Sequence, residues 1–528
     1  PPPPPPVSQL PDPLVRVSGA SPFATDCDGS GATTGFYQNA EVEPSLAVNP
    51  RDSNNLIGVW QQDRWSNGSA RGIVAGVSFD GGATWQRRPM PFSRCGGGTA
   101  VNGGDYARVS DPWVTIAPDG IAYQNALAST GGSFQPGSVN ALLVSRSTDS
   151  GRTWSNPLPL ISDGQAFFND KNSITADATD ARYVYATWDR LPQVGDSGPA
   201  YLARSVDRGV TWEAARPIYD AGTSAQTINN QIVVLPNGTV VDFFTQLDVA
   251  PNRTVTSSIG VVRSTDKGGT WSARTRIADV TSVGTQDPDS AIRVRDGSNL
   301  GSIAVSPQGT LYAVWQDART SSGARDGILL ASSTDAGVSW SVPLRINAAP
   351  DVPAFTPTVA VRADGTIGVT YYDFRSNTAS PQTLLTDYWL ARSADGVTWR
   401  ESRLAGPFDL AIAPNANGLF LGDYQSLATI GNVFVPFFAQ TNDGDLNNRT
   451  DIFSVVAQNA SAGVATDTTP AKRSATASAV GEYRAEPAPA IAVTPQLERK
   501  VHQNIMQMME QRVPGWSRRA RPETLAPE

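Results

Sequence analysis

One octet recurs six times along the chain: Ser78–Trp85 (SFDGGATW), Ser147–Trp154 (STDSGRTW), Ser205–Trp212 (SVDRGVTW), Ser264–Trp271 (STDKGGTW), Ser333–Trp340 (STDAGVSW) and the shorter Ser393–Trp399 (SADGVTW). Successive copies start 69, 58, 59, 69 and 60 residues apart. Self-similarity at such a spacing means one structural unit stacked on copies of itself, not a string of unrelated domains. The octet also has a mechanical meaning. Its Asp accepts backbone N–H groups and closes a turn, and its Gly supplies positive φ. Its hydroxyl residue and Trp begin a strand, with the indole expected between neighbouring sheets. These aspartates are therefore read as turn formers rather than catalytic acids.

Between the octets a short apolar segment, a tight turn and a second apolar segment recur seven times, as in Trp113–Leu127 (WVTIAPDGIAYQNAL), Gln231–Gln246 (QIVVLPNGTVVDFFTQ) and Ser302–Gln316 (SIAVSPQGTLYAVWQ). PDG, PNG and PQG between alternating apolar runs are strong hairpin signals. Each unit thus reads strand, hairpin, strand, loop, strand, Asp turn, strand. Four antiparallel strands repeated radially make an all-β fold, the β-propeller. The last unit has two strands plus Asp451–Ala457 (DIFSVVA), and Leu14–Ser18 (LVRVS) is the candidate for its fourth. The expectation is seven four-stranded blades, with six as the alternative.

The chain divides accordingly into a Pro-rich N-terminal segment with the ring-closing strand (1–40), the propeller (41–457), an Ala/Thr/Pro-rich linker (458–495) and a tail (496–528). Within the tail, Leu497–Val513 (LERKVHQNIMQMMEQRV) has the spacing of an amphipathic helix. It is expected to dock on the propeller or to bind a protein partner through its Met-rich face.

Composition removes several function classes. A net charge of −8 argues against nucleic-acid binding, which needs a cationic surface. No apolar run approaches the ~18 residues that span a bilayer. The single histidine, His502, lies in the tail, which excludes Ser-His-Asp catalysis and His-ligated zinc from the body of the chain. Gly195–Pro199 (GDSGP) therefore holds an ordinary loop serine, Ser197, despite its likeness to a protease motif. The two cysteines, Cys27 and Cys95, both fall in connections leading into a new blade. A disulfide between them would pin the N-terminal segment and implies an oxidising compartment. The chain begins with six prolines rather than Met, so a processed, secreted or cell-surface form is expected. No cofactor is expected, with calcium in one loop as the alternative. Asp443, Asp445 and Asn447 have the D-x-D-x-N start of a calcium loop but lack the glycine and terminal Glu of an EF-hand.

The octet S-x-D-x-G-x-T-W is the Asp box, and over roughly residues 40–457 the chain resembles the sialidase superfamily of Asp-box propellers. The resemblance implies a glycan as partner and a secreted glycoside hydrolase, with an exo-sialidase as the named version. The alternative is a non-catalytic scaffold that binds glycan or protein. Two departures matter. Sialidases have six blades, whereas seven-bladed Asp-box propellers occur among xyloglucan-active glycosidases. Sialidases also carry an Arg-Ile-Pro motif whose arginine joins a clamp on the substrate carboxylate, and the comparable stretch here reads Glu43-Pro44-Ser45.

Topology selects where chemistry should sit. The Asp turns share an edge with the first hairpin turns, so the opposite edge carries the start of strand one and the end of strand two. Strand one lies nearest the axis, and the residues leading into it ring the channel mouth. They include Glu43, Asp111, Asp170 with Lys171, Asn230 and Gly422-Asp423-Tyr424. The ends of strand two repeat Trp or Tyr, then Asp, then Arg: Asp63-Arg64, Asp189-Arg190, Asp317 with Arg319 and Asp373 with Arg375. These are either structural pairs or a ring of arginines able to hold a carboxylate. The long connection near Ala278–Leu300 adds Arg293 and Arg295. The sialidase resemblance implies Tyr424 as nucleophile, Glu43 as its activator and Asp63 as acid/base. The rival mechanism uses a carboxylate pair drawn from Glu43, Asp63, Asp111 and Asp423.

Overall fold

The computed structural model describes residues 14–27, 35–193, 197–455, 479–488 and 494–512. After a short strand β1 (Leu14–Arg16), four-stranded antiparallel sheets follow one another. The first pairs β2 (Phe36–Val48), β3 (Leu56–Trp65), β4 (Ala70–Ser78) and β5 (Gln86–Met90) in sequence order. The next holds β6 (Arg108–Ile116), β7 (Ala122–Thr130), β8 (Val139–Ser147) and β9 (Leu158–Asp163). Then come β10 (Phe167–Ala176), β11 (Val184–Pro192), β12 (Ala200–Ser205) and β13 (Arg216–Tyr219). They are followed by β14 (Ala225–Val234), β15 (Val240–Val249), β16 (Val255–Ser264) and β17 (Thr275–Val280). In the long connection after β17 lie β18 (Thr285–Gln286) and β19 (Arg293–Arg295). The pattern resumes with β20 (Ser302–Val305), β21 (Leu311–Asp317), β22 (Gly327–Ser333) and β23 (Leu344–Arg345). Next are β24 (Ala354–Val361), β25 (Ile367–Asp373), β26 (Leu385–Ser393) and β27 (Thr398–Asp409). After β28 (Leu419–Phe420), which pairs with β19, the last set is β29 (Ser426–Ile430), β30 (Val433–Thr441) and β31 (Thr450–Val455). Its fourth member is β1, paired antiparallel to β31 with Val15 opposite Ser454.

The first strands of these sheets touch in cyclic order, β2 to β6, β10, β14, β20, β24, β29 and back to β2. Hydrogen bonds follow the same circuit. The Val114 amide donates to Ser45 Oγ, Ala176 to Thr115 Oγ1, and Ser173 Oγ to the Asn230 carbonyl. Asn229 Nδ2 donates to the Gly301 carbonyl, Val359 to Ser302 Oγ, Thr358 Oγ1 to the Gln425 carbonyl, and Leu46 to Ser426 Oγ. The hairpins form where their glycines permit it, with Gly120 at φ 87° and Gly238 at φ 85°.

Each octet Asp binds its own turn. Asp266 Oδ1 accepts the Thr270 amide at 2.8 Å and its carboxylate accepts the Ser264 and Thr270 hydroxyls, contacts that hold it below the usual carboxylate range. The octet tryptophans pack, as expected, against the clusters between neighbouring sheets, but to different depths. Only Trp399 is fully buried, while Trp85, Trp154, Trp212, Trp271 and Trp340 are half-buried at the outer edge. The indoles of Trp85, Trp271 and Trp399 donate to their own octet's glycine carbonyl. Of the other buried tryptophans, Trp60, Trp65, Trp188 and Trp315 come from second strands and Trp389 from the third strand β26.

The Cys27–Cys95 disulfide is present and fastens the segment after β1 to the connection after β5. The segment read as linker is not uniform. Part of it lies outside the described residues, but β32 (Ala479–Arg484) adds to the outer edge of β27 and β33 (Glu486–Pro487) to that of β23. Edge strands expose unpaired backbone groups, which explains why a polar segment settles there. Helix α1 (Pro495–Arg512) follows, its Leu497, Val501, Ile505, Met508 and Met509 packed with Phe134, Leu191, Ile228, Leu247, Val255 and Leu300. Val513, the last residue expected in the helix, lies outside the described residues. No helix among the described residues is long and apolar enough to cross a membrane.

Candidate functional site

A repeated backbone irregularity builds the site. In five of the first strands the ladder is interrupted by a bulge whose leading residue has positive φ: Glu43 (55°), Asp111 (51°), Lys171 (51°), Asn229 (65°) and Thr356 (52°). Non-glycine residues are strained there by about 1–3 kcal/mol each, and bulges re-aim side chains. The device re-aims one side chain per strand, and the residue placed there differs from sheet to sheet.

Lys171 is the hub. Its ammonium lies 2.6 Å from Asp423 Oδ2, 3.5 Å from Asp111 Oδ2 and 3.9 Å from Glu43 Oε1. Arg295 grips Asp423 with two nitrogens, Nε at 2.9 Å from Oδ1 and Nη2 on Oδ2. Arg64 and Arg295 both stack on the Phe420 ring, at 4.9 and 4.4 Å from its centroid. Arg64 Nη1 donates to Gln61 Oε1 at 2.6 Å, and its buried Nε has no hydrogen-bond partner. All these side chains are buried or nearly so.

The charges push the acids apart. Burial, then the nearby Asp111 charge, raises the Glu43 carboxyl from 4.5 to about 8. Burial opposes ionisation of Asp111 as well, but Lys171 and the Ser110 hydroxyl overcome it and hold Asp111 below the usual range. At Asp423, Arg295 and Lys171 override burial and hold the group well below that range. Burial, then Arg295, lowers Arg64 to about 10. One raised and two lowered carboxyls therefore flank the same ammonium.

A cavity of about 630 Å³ opens over this cluster and runs outward between the first two sheets, with Arg64, Asp111, Asp170, Lys171, Arg295 and Arg512 at its inner end. Arg108 and Arg94 stand toward its outer end, where Arg108 lies over the Trp65 ring and Arg94 pairs with Asp105. Glu43 lies beneath the cavity floor, behind Lys171.

Several expected site residues are placed elsewhere. Asp63 is fully buried and accepts the Asn39 amide at 2.9 Å and the Ser21 hydroxyl at 2.6 Å, which commits it to holding the N-terminal segment. Arg190 pairs with Asp163 of the preceding sheet and lies over Phe167. Arg319 forks onto Asp317, and Arg375 bonds Asp373, Glu401 and the Tyr371 hydroxyl. None of these three arginines reaches the cavity. Arg293 lies under α1, donating to Asn504. Tyr424 is near the cluster, but its hydroxyl donates to the Pro112 carbonyl at 3.2 Å and its ring packs on Trp113 in the central channel. Burial and the charges of Glu43, Asp111 and Asp423 raise its pKa, the reverse of an activated phenol. In the candidate calcium loop, Asp445 accepts its own Asn447 and Asn448 amides and Asp443 accepts the Asp409 amide. No group of three or more potential metal-binding His, Cys, Asp or Glu residues occurs among the described residues.

Sequence reasoning missed Phe420 and Arg512. Phe420 carries no signal of its own. Arg512 does, because it continues the apolar stripe of α1, four residues after Met508.

No family model matches the chain, and no curated protein matches it. Among solved structures, a protein of unknown function from Dyadobacter fermentans is 16% identical over 68% of this chain and 94% of its own, with a TM-score of 0.41. An α-L-arabinofuranosidase of Fusarium graminearum is 13% identical over 63% and 89%, TM-score 0.42. A sialidase of Streptococcus pneumoniae is 9% identical over 80% and 93%, TM-score 0.42. Nothing about the chemistry of this chain follows from these likenesses.

Proposed function

We propose that the chain is a seven-bladed propeller of an oxidising, extracellular compartment that binds an anionic glycan at its channel mouth and hydrolyses a glycosidic bond there. The observation that carries this reading is the pair of carboxyls in opposite protonation states around Lys171, Glu43 raised to about 8 and Asp111 lowered. Glycoside hydrolysis needs one proton for the leaving oxygen and one negative charge for the oxocarbenium-like carbon. The coupled pair holds both near neutral pH, the charge on Asp111 at the cavity wall and the proton on Glu43 behind Lys171. Asp111 stands on the cavity wall as the charged member, with Oδ2 accepting no hydrogen bond. Arg64 and Arg295 at the same end are suited to an acidic substituent of the sugar.

The exo-sialidase version requires Tyr424 as nucleophile. The commitment of its hydroxyl to Pro112 supports the carboxylate pair instead. A pure binding scaffold is the second reading, favoured by the satisfied ion pairs of Arg190, Arg319 and Arg375. Aryl glycosides separate the two. We expect turnover of at least one anionic member of a panel containing sialoside, glucuronide and neutral sugars. Asp111→Asn should then lower kcat by about 10³ with little change in melting temperature. Turnover of no panel member, or full activity in Asp111→Asn, would overturn the enzymatic reading.

A further inference from the structure

Asp170 and Asp189 sit directly opposite each other on β10 and β11, both buried. Like charges opposed across a strand pair are destabilising unless something neutralises them. Here the neutralising group comes from the far end of the chain. Arg512, at the end of α1, donates Nε to Asp170 Oδ2 at 2.6 Å and Nη2 to Asp189 Oδ2, and its side chain is only 3% exposed. Arg512 and its neighbour Gln511 also line the cavity beside Lys171, Arg295 and Arg64. The same helix reaches a second wall. Asn504 donates to the Ser282 carbonyl and to Ser298 Oγ, at 3.3 and 2.9 Å, and accepts from Arg293. It thereby fastens both ends of the connection that carries Arg295.

From this geometry we infer that α1 is a working wall of the pocket and that Arg512 is a specificity-determining residue, selecting an oxyanion substituent of the glycan, a uronate carboxylate or a sulfate ester. The inference rests on the proposal that the pocket takes an anionic glycan, but not on hydrolysis. With Arg512 in place, the wall beside Lys171 presents a guanidinium that neutralises Asp170 next to it on the cavity lining and Asp189 behind it. Without Arg512 the same wall presents two uncompensated carboxylates, which repel an anion. Losing one cation therefore exposes two opposing charges, a larger effect on an anionic ligand than on a neutral one. Lys171 is affected too, because an unneutralised Asp170 competes for its ammonium with Asp111 and Asp423.

The test is equilibrium binding of glucuronate, glucose 6-sulfate and glucose to the full chain, compared among wild type, Arg512→Lys, Arg512→Met and the double variant Arg512→Met/Asp189→Asn. We expect wild type to bind at least one of the two anions more tightly than glucose, and their relative strength tells carboxylate from sulfate. Arg512→Met should lose about tenfold or more of that preference, Arg512→Lys should retain most of it, and the double variant should recover part of it because one opposing charge is gone. The recovery separates a charge effect from structural damage, since a second mutation in a merely damaged wall restores nothing. Anion preference unchanged in Arg512→Met, no recovery in the double variant, or no preference in wild type would overturn the inference. Preference with these responses but no turnover of aryl glycosides would sink the hydrolase and leave the role of Arg512 standing.

Discussion

Two sets of charged residues ring this molecule, and they behave in opposite ways. At the ends of the second strands an Asp–Arg motif is repeated, and its members are consumed by structure: Arg319 on Asp317, Arg375 on Asp373 and Glu401, Arg190 on Asp163. At the bulges of the first strands the backbone is what repeats, with positive φ at each leading residue, while the side chains change from Glu43 to Asp111 to Lys171 to Asn229 to Thr356. The residues that recur are frame, and the residues that vary on a recurring backbone include those proposed to do the chemistry. A repeat fold copies its fasteners, whereas a pocket needs one group of each kind. Arg64 and Asp189 mark the boundary between the sets. Each belongs to the repeated motif by sequence, yet Arg64 turns to the cavity and Asp189 receives Arg512.

The sharpest way to break this division is to remove a fastener. Arg375→Met leaves Asp373 and Glu401 buried without their cation, and should cost about 3–5 kcal/mol in a denaturant titration while leaving glycan binding intact. Next in size is the disulfide. Cys27→Ser/Cys95→Ser should cost about 2–4 kcal/mol through freedom gained by the unfolded chain, measured against the oxidised parent. An octet is a smaller fastener. Asp80→Ala loses the amide and hydroxyl of Thr84 and should cost about 1–2 kcal/mol with activity unchanged.

The mouth is expected to reveal itself through pH rather than through loss of stability. The Glu43 carboxyl is raised in the folded state from 4.5 to about 8, so over that window the folded chain holds a proton the unfolded chain has lost. Stability must then fall as pH rises from about 4.5 to about 8. Asp111, lowered on folding, acts in the opposite direction and only at acid pH, where its contribution is lost as pH falls. Glu43→Gln should flatten the decline of melting temperature between pH 5 and 8, roughly by one proton's share. An identical slope in the variant would remove Glu43 from the protonated role.

Much of the frame was legible in the sequence. The octets and the hairpin turns follow from local residue chemistry, and the pairing of β1 with β31 from the missing fourth strand of the last unit. The site was only half legible. Glu43, Asp111, Asp423, Arg64 and Arg295 could be named because topology brings strand starts and one long connection to the axis. Asp63 is named from its place after a second strand, and nothing in the sequence shows that its carboxylate accepts a distant segment's amide. Tyr424 is named from its place beside a strand start, which does not say which way the residue faces, and it faces the channel. Arg512 carries the mark of a buried helix position but not of a site residue, because its partners, Asp170 and Asp189, lie more than three hundred positions upstream.

The division between frame and mouth is tested most directly by assaying Asp111→Asn and Arg375→Met side by side for kcat on the best aryl glycoside and for unfolding free energy. The expected result is a crossover. Asp111→Asn should lose about 10³ in kcat with little change in stability, and Arg375→Met should lose several kcal/mol of stability with kcat within a few-fold of wild type. The reverse pattern, with Arg375→Met inactive but stable and Asp111→Asn active, would place the chemistry on the repeated arginines and contradict the assignment of the bulge residues.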